Sequence, residues 1–520
     1  MFNSILNLTK ENFICDSNLI KMLSLDNLLY SKEINLLDFI SSDRDVICSR
    51  NEVIEDLVRN IELYEIFKNL TSALQYIKNI TNIKEISYAS ETHLFSLKQL
   101  GIYIECVNMV VAGKDSFMKA TSHGITSFYH YVEEIAQSEE YLLLVKGTEN
   151  IIGQISNIKS ITVGFNFNED LSIKEGGILS INSSPIISMS LVEKLLSLGS
   201  GDDKLNASIA PLTSMKIVNQ HEQELINNHF YSALNKWFRK NISQWQPSVD
   251  AYLKNKCKVL LDLLPELIFL TESVRIHKEF RDMGLELCKP IIEEKEAKTF
   301  ITQGLYNLIL ATKIGKEKIV QNDFRFDEKG MIYIFTGPNQ GGKSVFTCAV
   351  GIAQIFAQLG WLVPAKYARI SPVTGLFAHF PIAATQANTD SKGRLGEECE
   401  RLAGIINNIT EYSLILMDET LSSTDASEAI YIASDAIKAI STYGCRCIYC
   451  THLHEIAGLT DEINSSDECI SKVDYLKVCI DSGVRNYKIS REKSDGKSYA
   501  YDIAKKYGLT YELMRNADLK

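Results

Sequence analysis

From about residue 10 to 160, apolar positions recur at intervals of three and four, the spacing that gathers them on one face of an α-helix. Val53, Ile54, Leu57, Val58, Ile61, Tyr64 and Leu70 form the clearest stripe. Ser49-x-x-Glu52 ahead of it reads as a capping box, in which each side chain satisfies a helix-end amide. Around Ile161 to Ile181 the texture changes: Ile161 to Phe167 and Gly177 to Ile181 predict two short strands across a polar turn. Gly199-Ser200-Gly201-Asp202-Asp203 predicts a flexible loop, and helical spacing returns from about Val218 to Lys298. After about Phe300, apolar strands alternate with helices, as in a parallel sheet covered by helices. The expected fold is mixed: a mainly α-helical region over 1–300 with a small β insertion near 160–182, then an α/β domain over 301–520.

A chain of 520 residues with 45% hydrophobic and 23% charged positions has the balance of a folded, multi-domain protein. Its net charge of -11 argues against a basic coat, while leaving room for a local basic channel. No apolar run approaches the roughly 18 residues of a membrane span, and Met1-Phe2-Asn3-Ser4 lacks a secretory start, so a cytoplasmic protein without a membrane partner is expected.

Chemistry concentrates in the last third. The apolar run Met331 to Phe335 feeds into Gly337-Pro338-Asn339-Gln340-Gly341-Gly342-Lys343-Ser344, a G-x-x-x-x-G-K-S string in strand-loop-helix context. The glycines let successive amides point at phosphate oxygens, and the following helix directs its positive end at the same anion. Lys343 then reaches the β- and γ-phosphates of ATP, and the Ser344 hydroxyl meets Mg²⁺. About 75 residues on, Leu414 to Met417 form an apolar run ending in Asp418 and Glu419. Buried acids need cationic partners, which places Asp418 on Mg²⁺ and leaves Glu419 as general base towards the attacking water. Cys450-Thr451-His452 is a further strand end, with His452 in order to contact the γ-phosphate.

The twelve cysteines show no repeated spacing and read as reduced thiols. Cys445, Cys447 and Cys450 lie on an apolar run that reads as a buried strand, and His452-x-His454 lacks the partners of a zinc motif.

The loop Gly337 to Ser344 resembles the form G-P-N-M-G-G-K-S/T found in the DNA mismatch-repair MutS family. Gly360 to Ala365, Ile406-Asn407-Asn408, Leu416 to Glu419, Thr451 to Ile456, Gly496 to Ala500, Ile503-Ala504 and Tyr507-Gly508-Leu509 follow in the family's order, so the likeness covers about 300–520. Asp45 to Leu70 is similar, more weakly, to the start of the family's helical core. The resemblance implies a helical lever and clamp region joined to an ABC-type ATPase domain. It also implies a homodimer in which each nucleotide is closed over by the partner's signature segment, acting on duplex or branched DNA in repair or recombination. The chain begins near the lever, so the family's N-terminal mismatch-reading and connector domains are expected to be missing. Phe167-Asn168-Glu169 matches the family's mismatch wedge by letters only and sits on an expected hairpin, so it is rejected as a mismatch reader.

Where the family shows Ser-Thr-Phe-x-x-Glu, this chain has Gly393-Arg394-Leu395-Gly396-Glu397-Glu398. Arg394 reads either as an arginine finger acting across the dimer or as a solvated helix-start residue. Lys236-Trp237-Phe238-Arg239-Lys240 likewise reads as a nucleic-acid surface or as an amphipathic helix face. A nucleotide-gated scaffold with little turnover, acting through protein partners, is the competing function, and retention of Glu419 and His452 favours hydrolysis.

Overall fold

The computed structural model describes residues 2–7, 13–16, 18–86, 93–156, 159–170, 173–188, 207–208, 246–338, 341–381, 393–421, 424–481 and 484–493. The segments Gly199 to Asp203 and Lys236 to Lys240, and the motif residues from Gly496 to Leu509, lie outside them. The chain divides into two compact units, one of residues 1–5, 60–121 and 125–268, the other of residues 6–59, 122–124 and 269–520. No helix among the described residues is long and apolar enough to cross a membrane.

The strands, in chain order, are β1 (Ile14–Cys15), β2 (Ser160–Phe167), β3 (Ile173–Asn182), β4 (Ile187–Ser188), β5 (Ala207–Ser208), β6 (Ile291–Ile292), β7 (Phe300–Leu305) and β8 (Asn322–Phe326). They continue with β9 (Ile332–Thr336), β10 (Tyr367–Ile370), β11 (Gly375–His379), β12 (Ser413–Asp418), β13 (Arg446–Thr451), β14 (Val473–Asp481) and β15 (Val484–Ser490). The principal helices are α1 (Arg44–Arg59), α2 (Ile61–Ile86), α3 (His93–Ala112), α4 (His123–Gln137), α5 (Glu139–Ser156), α6 (Leu264–Asp282), α7 (Leu308–Ile314), α8 (Lys343–Leu359), α9 (Gly393–Asn408) and α10 (Ala426–Ser441).

The first unit is mainly helical, with Phe67, Phe117, Phe128 and Tyr129 meeting in its core. β2 and β3 form the expected antiparallel hairpin, with Gly164 opposite Gly177. Phe167 ends β2 and is exposed.

The helix expected to begin at Ser49 begins earlier. The Asp43 carboxylate accepts the amides of Asp45 and Val46 at 2.8 and 3.1 Å, so it caps α1, and Ser49 lies inside the helix. The stripe is also not continuous: α1 stops at Arg59, and the Asn60 side chain caps α2 by accepting the Leu63 amide at 3.1 Å. Both corrections have one cause, because a short acceptor side chain satisfies the orphan amides of a helix start better than a serine placed further along.

The second unit holds a seven-stranded sheet in the order β1-β11-β12-β13-β9-β14-β15. From β1 to β14 neighbouring strands run parallel, and β15 returns antiparallel to β14. β9, β12 and β13 are buried at every position, as expected of central strands covered on both faces. A second sheet, β6-β10-β7-β8, is largely antiparallel, which the expectation of a single parallel sheet did not include. Its strand β8 alternates Asn-Asp-Phe-Arg-Phe with a period of two, the pattern of a strand with one covered face.

α8 lies against β12 and β13 and is buried along most of its length. Both side-chain NH2 groups of its two buried glutamines are engaged: Gln354 donates to the Gln358 side chain at 2.9 Å and the Ser371 carbonyl at 3.1 Å, and Gln358 donates to the Ser41 and Val373 carbonyls. At its far end, Asn51 of α1 donates to the Gly360 carbonyl at 3.0 Å. The helix carrying Lys343 is therefore fixed through its C-terminal half, and its last turn is tied to α1.

Candidate functional site

The loop between β9 and α8 turns sharply because its backbone adopts conformations that a side chain resists. Gly337 has φ +152° and Gly342 has φ +95°. A Cβ on Gly337 would sit 2.9 Å from Val478 of β14, and one on Gly342 would sit 3.3 Å from Tyr487 of β15. The two edge strands thus pack directly on the loop. Inside it, Gly341 donates to the Pro338 carbonyl at 3.0 Å. The Asn339 and Gln340 positions lie outside the described residues.

Lys343 opens α8 and is 4% exposed. Its ammonium donates to the carbonyls of Gly337 at 2.9 Å and Pro338 at 3.3 Å, so the charge is held at the centre of the turn. Ser344 follows it and is exposed. Two strands away, Asp418 ends β12 and is 7% exposed, with Oδ1 buried and lacking a hydrogen-bond partner among the described residues. Burial raises its pKa, the adjacent Glu419 charge adds to that, and the Ser344 hydroxyl and Lys343 ammonium pull it down. The structure therefore brings the 337–344 turn and Asp418 together.

Glu419 is half-buried and has φ +46°, and Leu421 has φ +64°. Non-glycine residues in the left-handed region carry strain of about 1–3 kcal/mol and persist where surrounding structure holds them. Here the Glu419 amide donates to the Cys450 carbonyl at 3.0 Å, and Leu421 is fixed in the core packed by α9 and α10. The turn removes Glu419 from the line of β12 and places it on the wall of the cavity described below. Below the loop, Thr347 Oγ1 lies 2.9 Å from Cys450 Sγ, and burial, with the Asp418 charge, pushes the Cys348 thiol up to about 12. Cys447 and Cys450 are buried in β13, as a small hydrophobe on a central strand should be.

A cavity of about 470 Å³ runs along the loop. One wall carries Gly341, Gly342, Lys343, Ser344 and Glu419, and the other is largely apolar: Leu310 and Ile314 of α7, then Ile319 and Val320. Tyr487 and Asn322 stand at its rim, where Asn322 donates to the Tyr487 carbonyl at 3.2 Å and accepts the Ile489 amide at 3.0 Å. None of this apolar wall was anticipated, because it is drawn from short segments that share no motif spacing. The one available signal was the alternation of β8, whose Asn322 lines the cavity.

His452 follows β13, is exposed, and is not among the residues lining the cavity. Gly393 begins α9, the Arg394 side chain lies outside the described residues, and Leu395 packs against the core beneath α9.

The buried acid at the end of a central parallel strand, set against a glycine turn that opens a helix, belongs to a mixed α/β domain. Comparison with known proteins narrows this. Residues 333–520 match the family model MutS domain V. The chain is 31% identical over 234 residues to the DNA mismatch repair protein MutS of Chlorobium phaeovibrioides, and 31% identical over 235 residues to that of Clostridium kluyveri. Each alignment covers 44% of this chain and 26% of the relative. The chain is similar to the MutS family through this C-terminal domain, and it spans about a quarter of the length of the curated relatives it matches.

Proposed function

We propose that the chain is an ATPase of the MutS type, binding a magnesium triphosphate in the turn at 337–344 and hydrolysing it with Glu419 as general base. The observation that carries this reading is the Asp418 carboxylate, buried with Oδ1 unpartnered beside Ser344 and Lys343. A buried anion of this kind is costly without a cation, and its own carboxylate together with the Ser344 hydroxyl offers oxygen ligands suited to a hard divalent ion. Ser344 and Asp418 would hold Mg²⁺, which when bound neutralises charge developing on the departing phosphoryl group.

In this reading the Lys343 ammonium exchanges the carbonyls of Gly337 and Pro338 for β- and γ-phosphate oxygens, while the loop amides and the α8 N-terminus supply further positive ends. Glu419 orients water and takes its proton as the oxygen attacks the γ-phosphorus and the bond to the β-phosphate oxygen breaks. His452 is assigned to assist at the γ-phosphate from its order after the acidic pair in the sequence. The apolar wall of Leu310, Ile314, Ile319 and Val320 suits a nucleobase.

DNA as ligand is supported by the name of the relatives, whereas a homodimer and a clamp moved by the nucleotide rest on the sequence resemblance, and Arg394 acting across the dimer rests on its charge at a segment that departs from the family pattern. Turnover separates this function from a nucleotide-gated scaffold. Glu419→Gln should keep ATP affinity and lose about 10²- to 10⁴-fold in rate. Equal, negligible rates in wild type and variant would favour the scaffold.

A further inference from the structure

Asn307 links the two walls of the cavity. It stands between β7 and α7 with an extended backbone, φ −78° and ψ 108°, and is 9% exposed. Its Oδ1 accepts the Leu310 amide at 2.9 Å, which caps α7 and fixes the turn that carries Leu310. Its Nδ2 donates to the Val345 carbonyl at 3.0 Å, in the first turn of α8 directly after Lys343 and Ser344. One side chain thus connects the start of the helix that carries the loop lysine to the start of the helix that forms the apolar wall. Both polar ends of the amide are engaged by backbone, although the residue lines the cavity.

We propose that Asn307 is a positioning residue for nucleotide binding, setting the distance between the phosphate-facing turn and the base-facing wall. This rests on the nucleotide reading of the cavity. The spacing decides how well a ligand reaches both walls at once, and it leaves the reacting groups Asp418 and Glu419 where they are. Loss of the tie therefore shows in affinity and KM, and kcat at saturation stays within about twofold.

The test uses Asn307→Ser and Asn307→Asp, because both residues cap a helix, while the aspartate carboxylate has no hydrogen to donate to the Val345 carbonyl and the serine hydroxyl sits on a side chain too short to replace the Nδ2 donor. Binding of a fluorescent ATP analogue, steady-state turnover and thermal melting are measured on the full chain. The expected result is a 5- to 10-fold weaker dissociation constant and a matching rise in KM for both variants, with melting temperatures within a few degrees of wild type. Normal affinity in either folded variant overturns the role of Asn307 while the nucleotide reading stands, as does a fall in kcat at unchanged KM. Unfolding of both variants also overturns it, since the residue would then serve the fold. Wild-type protein that binds no nucleotide overturns the reading and this inference together.

Discussion

The Nε2 atom of His277 accepts the Leu362 amide proton at 3.0 Å, while Nδ1 donates to the Ser273 carbonyl at 2.6 Å. The ring is thereby fixed as the neutral tautomer with its proton on Nδ1. Trp361, buried beside it, donates from Nε1 to Ser273 Oγ at 2.8 Å and stacks on Phe269. These contacts anchor α6 to the segment that follows α8, and they require an uncharged imidazole.

Acid sensitivity follows from this. Burial lowers the pKa of His277 to about 4, helped by the Arg281 charge and opposed by the Ser273 bond. Burial, then the Arg401 charge, lowers that of His379 to about 4. The unfolded chain takes up these protons below about pH 6.5 and the native protein does not, so stability falls as pH drops from about 6.5 to 4 and is insensitive to these groups above. Each histidine contributes about 3 kcal/mol over that window. Thermal melts from pH 8 to 4.5 should show the decline, and His277→Gln should flatten its share of it.

Gly342 predicts a separation of folding from binding. Alanine there keeps φ +95° at a cost of about 1–2 kcal/mol and crowds Tyr487. Gly342→Ala should remain folded and lose at least tenfold in affinity for a fluorescent ATP analogue. Unchanged affinity would mean that the turn does not need its left-handed geometry.

Asp418 should trade stability for function. In the ligand-free protein its buried carboxylate is a net cost, so Asp418→Asn is expected to raise the melting temperature by a degree or more. The same change should abolish the dependence of nucleotide affinity on magnesium, measured by titration with and without the metal. A destabilised variant would show instead that the carboxylate has a structural partner.

Arg491 holds the edge of the large sheet. Its guanidinium makes a paired contact with Asp327 at 2.5 and 2.8 Å, reaches Asp474 as well, and lies over the Tyr333 ring. The planar fork matches two carboxylate oxygens in a way an ammonium does not. Arg491→Lys should therefore melt at nearly the same lowered temperature as Arg491→Ala. Full rescue by lysine would reduce the contact to simple charge.

Much of the large sheet could be read from the chain, because β9, β12 and β13 are apolar at almost every position and end in chemically distinctive residues. The turn at 337–344 was equally legible, since few sequences place three glycines before Lys-Ser. β1 was not: two residues, Ile14 and Cys15, are held by pairing with Gly375 and Leu376, a partner more than 350 positions away. The start of α1 was misread because Asp43 competes with Ser49 as a cap, and local spacing does not rank them. The apolar wall of the cavity escaped for a related reason. Leu310 and Ile319 share the cavity with Tyr487, which lies more than 160 positions further along the chain.

The central claim is that Lys343 and Asp418 grip one magnesium triphosphate. Calorimetric titration of the full chain with a slowly hydrolysed ATP analogue, with and without magnesium, addresses it most directly. Saturable one-site binding is predicted for wild type, lost in Lys343→Ala and made magnesium-independent in Asp418→Asn. Absence of binding in wild type, or equal binding in Lys343→Ala, would contradict it.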